Sequence, residues 1–260
     1  MRFAFHRDLA LGRYVPLETP VHRLDPRTKL VAFAALLTAL FRAAPPVQLV
    51  VCAGILVLAV LARLPLRRIF GGVRALAWIL LLTVAYHAMW SGPRSAGGWT
   101  GGVVDGIRAA LSLVAMLVAA AVLTHATDPI RLADALAALF GFLERVRVPV
   151  RDLALVLSLA LRFLPTVLEE AQRIVLAQRA RGATFGGGIL ARGRRLLPLA
   201  VPLFAGCLRR ADTLSLAMEA RGFSPGVRRT RLEPLAFRRA DGWTLVGAAA
   251  VLAASFASAP

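Results

Sequence analysis

Two short segments hold the residues best suited to chemistry. Leu176-Ala177-Gln178-Arg179-Ala180-Arg181-Gly182-Ala183-Thr184-Phe185-Gly186 returns as Leu216-Ala217-Met218-Glu219-Ala220-Arg221-Gly222-Phe223-Ser224-Pro225-Gly226. The shared frame is Leu-Ala, a pair of free positions, Ala-Arg-Gly, then a hydroxyl residue and a glycine at fixed offsets. The chemistry on offer is recognition rather than bond-making. A guanidinium presents a fixed fork of donors that grips a carboxylate bidentately, and it never loses its charge. Ala180 and Ala220 keep the helix end slim, while Gly182 and Gly222 supply a left-handed cap. Arg181 and Arg221 also complement the negative end of a helix dipole. Arg-Gly is equally ordinary helix-ending chemistry, so the triplets alone leave their role open.

Other reactive groups do not assemble into a catalytic pattern. The chain has no GxxxxGK[ST] or HExxH, and its single lysine, Lys29, lies in Pro26-Arg27-Thr28-Lys29, away from any phosphate-binding loop. Asp105 stands near Arg108 with no acidic pair following, and His87 lies beside Tyr86 in an apolar run with no acid partner in sequence. His125 follows another apolar run; His22 in the basic arm reads as ordering that segment rather than reacting. Cys52 and Cys207 show no metal-ligand spacing. The expectation is a protein with no catalytic residue, no metal site and no cofactor.

The elements that must position the paired arginines belong to a membrane. Hydrophobic residues make up 58% of the chain, far above a soluble domain, and the formal charge is +18. Such a charge suits nucleic acid or an anionic membrane surface; the apolar runs favour the membrane, and no nucleic-acid partner is expected. Residues 1–29 form a basic arm without a cleavable signal, closed by Asp25 as N-cap and Pro26 at the first helical position. Spans are expected at 30–41 (inside a helix from Pro26, with Lys29 and Arg42 snorkelling to the interfaces), 47–62, 75–90, 103–124 and 242–259. Arg63, Arg67, Arg68 and Arg74 crowd the second connection, whereas the loops around Arg42 and Arg94 are nearly uncharged. The positive-inside rule then puts the N-terminus in the cytoplasm of a bacterial-type inner membrane.

The architecture expected is an all-α polytopic membrane protein. It has four regions: the arm 1–29, a four-span region 30–124, a cytoplasmic or membrane-surface region 125–240, and a last span 241–260. In the inserted region Thr127-Asp128-Pro129 starts a helix that stops near Val148-Pro149. Apolar runs at 153–164 and 196–208, the second interrupted by Pro198 and Pro202, are too short to cross a bilayer comfortably and suit its surface. Each leads into a helix ending in Ala-Arg-Gly.

With these pieces in order, the chain resembles the transmembrane T component (EcfT/CbiQ-like) of energy-coupling-factor (ECF) importers. The stretch His22-Arg23-Leu24-Asp25-Pro26-Arg27-Thr28-Lys29-Leu30 is similar to the family's N-terminal signature, and Ala180-Arg181-Gly182 and Ala220-Arg221-Gly222 to its paired coupling motifs. Leu161-Arg162-Phe163-Leu164-Pro165 with Glu169-Glu170, Arg209-Arg210-Ala211-Asp212 and Thr127-Asp128-Pro129 also fit; Leu17 departs where a glycine is common. The resemblance implies a protein that joins two cytoplasmic ABC-type ATPase subunits to a substrate-binding membrane S component for vitamin, cobalt or nickel uptake. It implies that Arg181 enters one ATPase and Arg221 the other. The alternatives weighed are a membrane-embedded lipid-modifying enzyme and a tethered nucleic-acid binder.

Overall fold

Caps and apolar faces account for the helices. The computed structural model describes residues 19–63, 66–90, 98–183, 189–224 and 237–258, with side chains except at 66–70 and 189–197. Most of the arm, the loop around Arg94 and the repeat positions Thr184, Phe185, Gly186, Pro225 and Gly226 lie outside the described residues. Helix α1 spans Pro26–Arg42, α2 Pro45–Leu61, α3 Leu66–Trp90, α4 Gly98–Ala126 and α5 Pro129–Leu139. A 3-10 segment, Phe140–Val146, leads to α6 at Val150–Ala180, followed by α7 at Ile189–Ala220 and α8 at Arg239–Ala257. No strand occurs among the described residues.

The chain divides into two units, Met1–Ala135 with Glu233–Pro260, and Leu136–Leu232. In the first, α4 packs against α3, α2 and α1, and α8 packs chiefly against α1. The core is built from small and branched residues, Ala39, Val51, Ile55, Ala59, Ala115, Val118 and Ala119 among them. Small side chains let apolar helices approach closely, which is how membrane helices associate without a hydrophobic drive between them. The limit is reached at Gly106, where an added Cβ would sit 2.8 Å from the Cα of Val84 and 3.2 Å from the Cβ of His87. Outward faces remain apolar: Trp78, Val50, Val60 and Val246 are all exposed.

Stretches Gly71–Trp90, Gly98–Ala126 and Arg239–Ala257 are long and apolar enough to cross a membrane. Helices α1 and α2, at 17 residues each, reach about 25 Å. Together these five elements match the expected runs, with α3 and α4 beginning earlier than expected. Arg67, Arg68 and Arg74 therefore ride on the first turns of α3 rather than in a loop.

The second unit departs further from expectation. The apolar runs 153–164 and 196–208 are not separate surface helices leading into others. They are the first part of α6 and the middle of α7, which continue for 31 and 32 residues, about 46 and 48 Å. Pro165, Pro198 and Pro202 all lie inside these helices. A proline removes one hydrogen bond and crowds the preceding turn, but it does not end a helix whose flanking turns are held by packing, and α6 and α7 pack against each other.

Candidate functional site

Both Ala-Arg-Gly triplets terminate their helices with the same hydrogen-bond pattern. At the end of α6, Gly182 adopts φ +85°; its N–H donates to Arg179 O at 2.9 Å, and Ala183 N–H donates to Gln178 O at 3.0 Å. At the end of α7, Gly222 adopts φ +75°; its N–H reaches Glu219 O at 2.9 Å, and Phe223 N–H reaches Met218 O at 3.0 Å. These are paired Schellman motifs, in which the chain's own N–H groups satisfy the orphan carbonyls of the last turn. The arginine side chains are therefore not needed as caps. Ala180, Arg181, Gly182, Ala220, Arg221 and Gly222 are all exposed, and a Cβ added at either glycine would meet nothing within 4 Å. Among the described residues neither Arg181 nor Arg221 has a salt-bridge partner.

Leu176 and Leu216 occupy the same place in the repeat and are 63% and 67% exposed. Each tip thus offers a charge, a slim alanine shoulder and an apolar side chain one to two turns back. The tips differ at both free positions, Gln178 against Met218 and Arg179 against Glu219, and the second difference makes the first tip the more positive.

Behind the tips, α6 and α7 are joined by an ion pair between Arg210 and Glu170. Gly206 lies beside this pair, and a Cβ added there would make only an ordinary contact, 3.8 Å from Glu170 Oε1. Of the other motif residues in this unit, Arg162, Glu169, Arg209 and Asp212 are exposed. A second pair, Arg151 to Glu144 at 3.1 Å, ties the start of α6 to the 3-10 segment.

The N-terminal signature lies in the first unit and serves as a joint. Thr19 and His22 contact through Oγ1 and Nδ1 at 2.6 Å, and His22 N–H donates to Thr19 O at 3.0 Å, forming a turn. Asp25 caps α1 by accepting from Arg27 N–H at 2.9 Å, with Pro26 next in line. The N–H of Asp25 itself donates to Asp241 Oδ1 at 2.8 Å, and Arg238 N–H donates to Asp241 Oδ2 at 2.7 Å. Asp241 is 0% exposed, so the start of the last helix is locked to the start of the first. At the other end of the same pair, Arg42 lies over the Phe256 ring at 4.6 Å and Ser258 accepts from Ala44 N–H at 3.4 Å.

Lys29 departs from the snorkelling expected of it. It precedes the apolar run that begins at Leu30, yet it is buried, donating to His22 O at 3.2 Å and to Ala126 O at 2.8 Å. It therefore caps the last carbonyl of α4, a favourable place for a cation. Burial and the nearby Arg131 charge lower its pKa to about 8, against a smaller raising effect of Asp241 and Asp25.

The intramembrane histidines and charges have local partners. His87 Nδ1 lies 2.9 Å from Thr83 O and its ring stands edge-on to Tyr86; His125 Nδ1 lies 2.9 Å from Ala121 O. Sequence reasoning missed Gln48, which is buried, donates to Ser112 Oγ at 2.5 Å and accepts from Arg108 Nε at 3.2 Å. A lone glutamine in an otherwise apolar span was the available signal. Among the described residues no three His, Cys, Asp or Glu side chains gather as a metal site.

These features define a polytopic all-α membrane protein whose second unit presents two self-capped, arginine-bearing helix ends. The family model described as CbiQ, cobalt transport protein, matches residues 18–232. Similar relatives are named energy-coupling factor transporter transmembrane protein EcfT. That of Limosilactobacillus fermentum is 39% identical, covering 90% of this chain and 91% of its own length. That of Heliobacterium modesticaldum is 40% identical over 90% and 91%, and that of Bacillus subtilis 36% identical over 92% and 93%. The chain belongs to this family of ECF transporter transmembrane (T) components, embedded in a bacterial plasma membrane.

Proposed function

We propose that the chain couples two ABC-type ATPase subunits to a substrate-binding S component, with Arg181 docking in one ATPase and Arg221 in the other. The observation carrying this reading is the repeated tip: two helix ends that satisfy their own carbonyls and leave arginine, alanine and leucine exposed. A groove lined with carboxylates matches such a tip, since arginine grips carboxylates bidentately and leucine adds apolar area. The difference between Arg179 and Glu219 suits two ATPase surfaces that are related but not identical. Two tethered contacts also raise affinity through effective concentration. With the N-terminus and both tips in the cytoplasm, as the distribution of arginines favours, movement of the ATPases would reach α6 and α7 through their ends. The cargo is a vitamin or a metal ion selected by the S component. The competing reading, a lipid-modifying enzyme, has no clustered acid or nucleophile to support it among the described residues.

The test is the double variant Arg181→Ala/Arg221→Ala. Removing one partner of a buried charge pair costs about 2–5 kcal/mol. The double variant should therefore insert and unfold at the wild-type temperature, yet lose its ATPases on co-purification and fail to support uptake. Retention of both ATPases with wild-type uptake would sink the assignment.

A further inference from the structure

Where α1 ends and α2 begins, the first unit holds a cavity of about 390 Å³ lined by residues of α1, α2, α3 and α4. Gln48, Asp105, Arg108 and Ser112 form its polar part, and Phe41, Leu113 and Met116 belong to its apolar part. Arg108 is held in place by Gln48, which is 5% exposed. Its Nε donates to Gln48 Oε1 at 3.2 Å, while Gln48 Nε2 donates to Arg108 O at 3.1 Å and to Ser112 Oγ at 2.5 Å. The contact with Asp105 is loose by comparison, Nη1 to Oδ1 at 3.5 Å, and the Arg108 and Asp105 side chains stay 35% and 45% exposed. The second oxygen of Asp105 and the Nη2 of Arg108 make no hydrogen bond among the described residues. The surface beside the pair is apolar: Val104 and Ile107 are exposed, and Phe41 is 71% exposed. From Asp105 to Leu113 and Met116, α4 advances about 12–16 Å toward the middle of the bundle, so the lining passes from charged to apolar along one direction.

Charges inside a membrane bundle are costly and mark places where something is bound or carried. A fixed cation beside a fixed anion calls for a ligand with both charges, and the apolar surroundings call for a lipid. A guanidinium fork matches a phosphodiester, and a carboxylate oxygen accepts from a primary ammonium. Phosphatidylethanolamine carries these two groups joined by a short ethylene link. Phosphatidylglycerol offers Asp105 no cation. Phosphatidylcholine offers one without an N–H to donate, and its quaternary ammonium favours aromatic cages, whereas Phe41 is the one aromatic residue described as lining the cavity. We propose that Arg108 and Asp105 bind the zwitterionic headgroup of phosphatidylethanolamine, Arg108 taking the phosphodiester and Asp105 the ammonium, with an acyl chain running along Leu113 and Met116. Gln48 is the positioning residue that aims the guanidinium. The site lies wholly in the first unit, and the inference does not depend on ATPase docking.

The experiment uses the purified full-length chain in nanodiscs holding equal amounts of phosphatidylethanolamine, phosphatidylcholine and phosphatidylglycerol with the same acyl chains. Native mass spectrometry then reads which lipids stay bound. The wild type should retain phosphatidylethanolamine over each of the others by about threefold to tenfold, as expected of charge-assisted hydrogen bonds at a half-exposed site. Asp105→Asn should bring the ratio of phosphatidylethanolamine to phosphatidylcholine close to unity while phosphodiester lipids remain bound. Asp212→Asn, which removes an exposed acid that does not line the cavity, should keep the wild-type ratio. Glycerophosphoethanolamine, which has the same headgroup and no acyl chains, should not displace the bound lipid. A wild type with no preference, or a preference unchanged in Asp105→Asn, overturns the proposal. Equal loss in Asp105→Asn and Asp212→Asn would reduce the effect to overall charge and overturn the site. Displacement by glycerophosphoethanolamine at the concentration of the lipid would overturn the lipid assignment. Asp105 has Arg108 as its side-chain partner and is half-exposed, and a wild-type unfolding midpoint for Asp105→Asn shows that the altered ratio belongs to a folded chain. Should that variant fail to fold, the wild-type preference and the glycerophosphoethanolamine competition still decide.

Discussion

Replacing Asp241 by asparagine tests whether the first and last helices are held as described. The carboxylate is 0% exposed and accepts N–H groups from Asp25 at 2.8 Å and Arg238 at 2.7 Å. A hydrogen bond to a charged group contributes about 1.5–3 kcal/mol, and a buried donor left unmatched costs about 1–3 kcal/mol. Asparagine keeps one acceptor oxygen and turns an amide donor toward the other N–H. Of the two bonds, that to Asp25 is the more deeply buried. Losing one bond and stranding one donor gives a penalty of about 2.5–6 kcal/mol for Asp241→Asn. For a chain of this size that lowers the midpoint by about 5–25 °C. Asp241→Ala should cost more, since it removes both acceptors. Thermal unfolding in detergent, followed by circular dichroism and by the fraction surviving size-exclusion chromatography, reads the effect. An Asp241→Asn midpoint within about 1 °C of wild type would mean the N-terminal joint does not depend on this residue.

Two further outcomes can be checked. At Gly182, φ +85° excludes β-branched side chains but tolerates asparagine, and a forced left-handed conformation costs about 1–2 kcal/mol. Gly182→Val should therefore weaken ATPase association about tenfold while Gly182→Asn leaves it near wild type; equal binding by the two would show the cap geometry to be irrelevant to docking. Lys29 titrates near pH 8 in the folded chain against 10.5 for a free lysine. Between those values the unfolded chain binds the extra proton, so this group's contribution to stability rises with pH. A pH series of unfolding midpoints should show the wild type gaining on Lys29→Met from pH 8 upward, and parallel curves would contradict the buried setting of the amine.

Local chemistry was legible from the residues. Asp25-Pro26 and Asp128-Pro129 start helices as capping rules require, with Asp128 Oδ1 accepting from Ile130 N–H at 2.8 Å, and Ala-Arg-Gly ends two of them. The five apolar runs were found because each is long and nearly free of charge, Asp105 and Arg108 near the start of the fourth excepted. Two kinds of feature escaped. The length of α6 and α7 was hidden because Pro165, Pro198 and Pro202 interrupt the pattern and the turns beyond the apolar runs are polar; only packing between the two helices carries them through. The bond from Asp25 to Asp241 spans 216 positions, and that from Lys29 to Ala126 spans 97. No periodicity marks either pair, since each depends on where helices end in space. The triplets were readable as helix ends, but not that both would close with the same pair of backbone bonds and leave Leu176 and Leu216 exposed.

The Asp25–Asp241 bond also bears on biosynthesis. The N–H of Asp25 acquires its buried acceptor only when residue 241 has been made, 216 residues later. At about 5–20 residues per second this is a wait of about 10–40 s. During that interval the Asp25 N–H lacks this acceptor, although the local cap at Arg27 N–H needs nothing from the last helix, and a chain that stops before residue 241 never acquires it. The carboxylate that locks the finished bundle is thus also the last piece of this joint to be made.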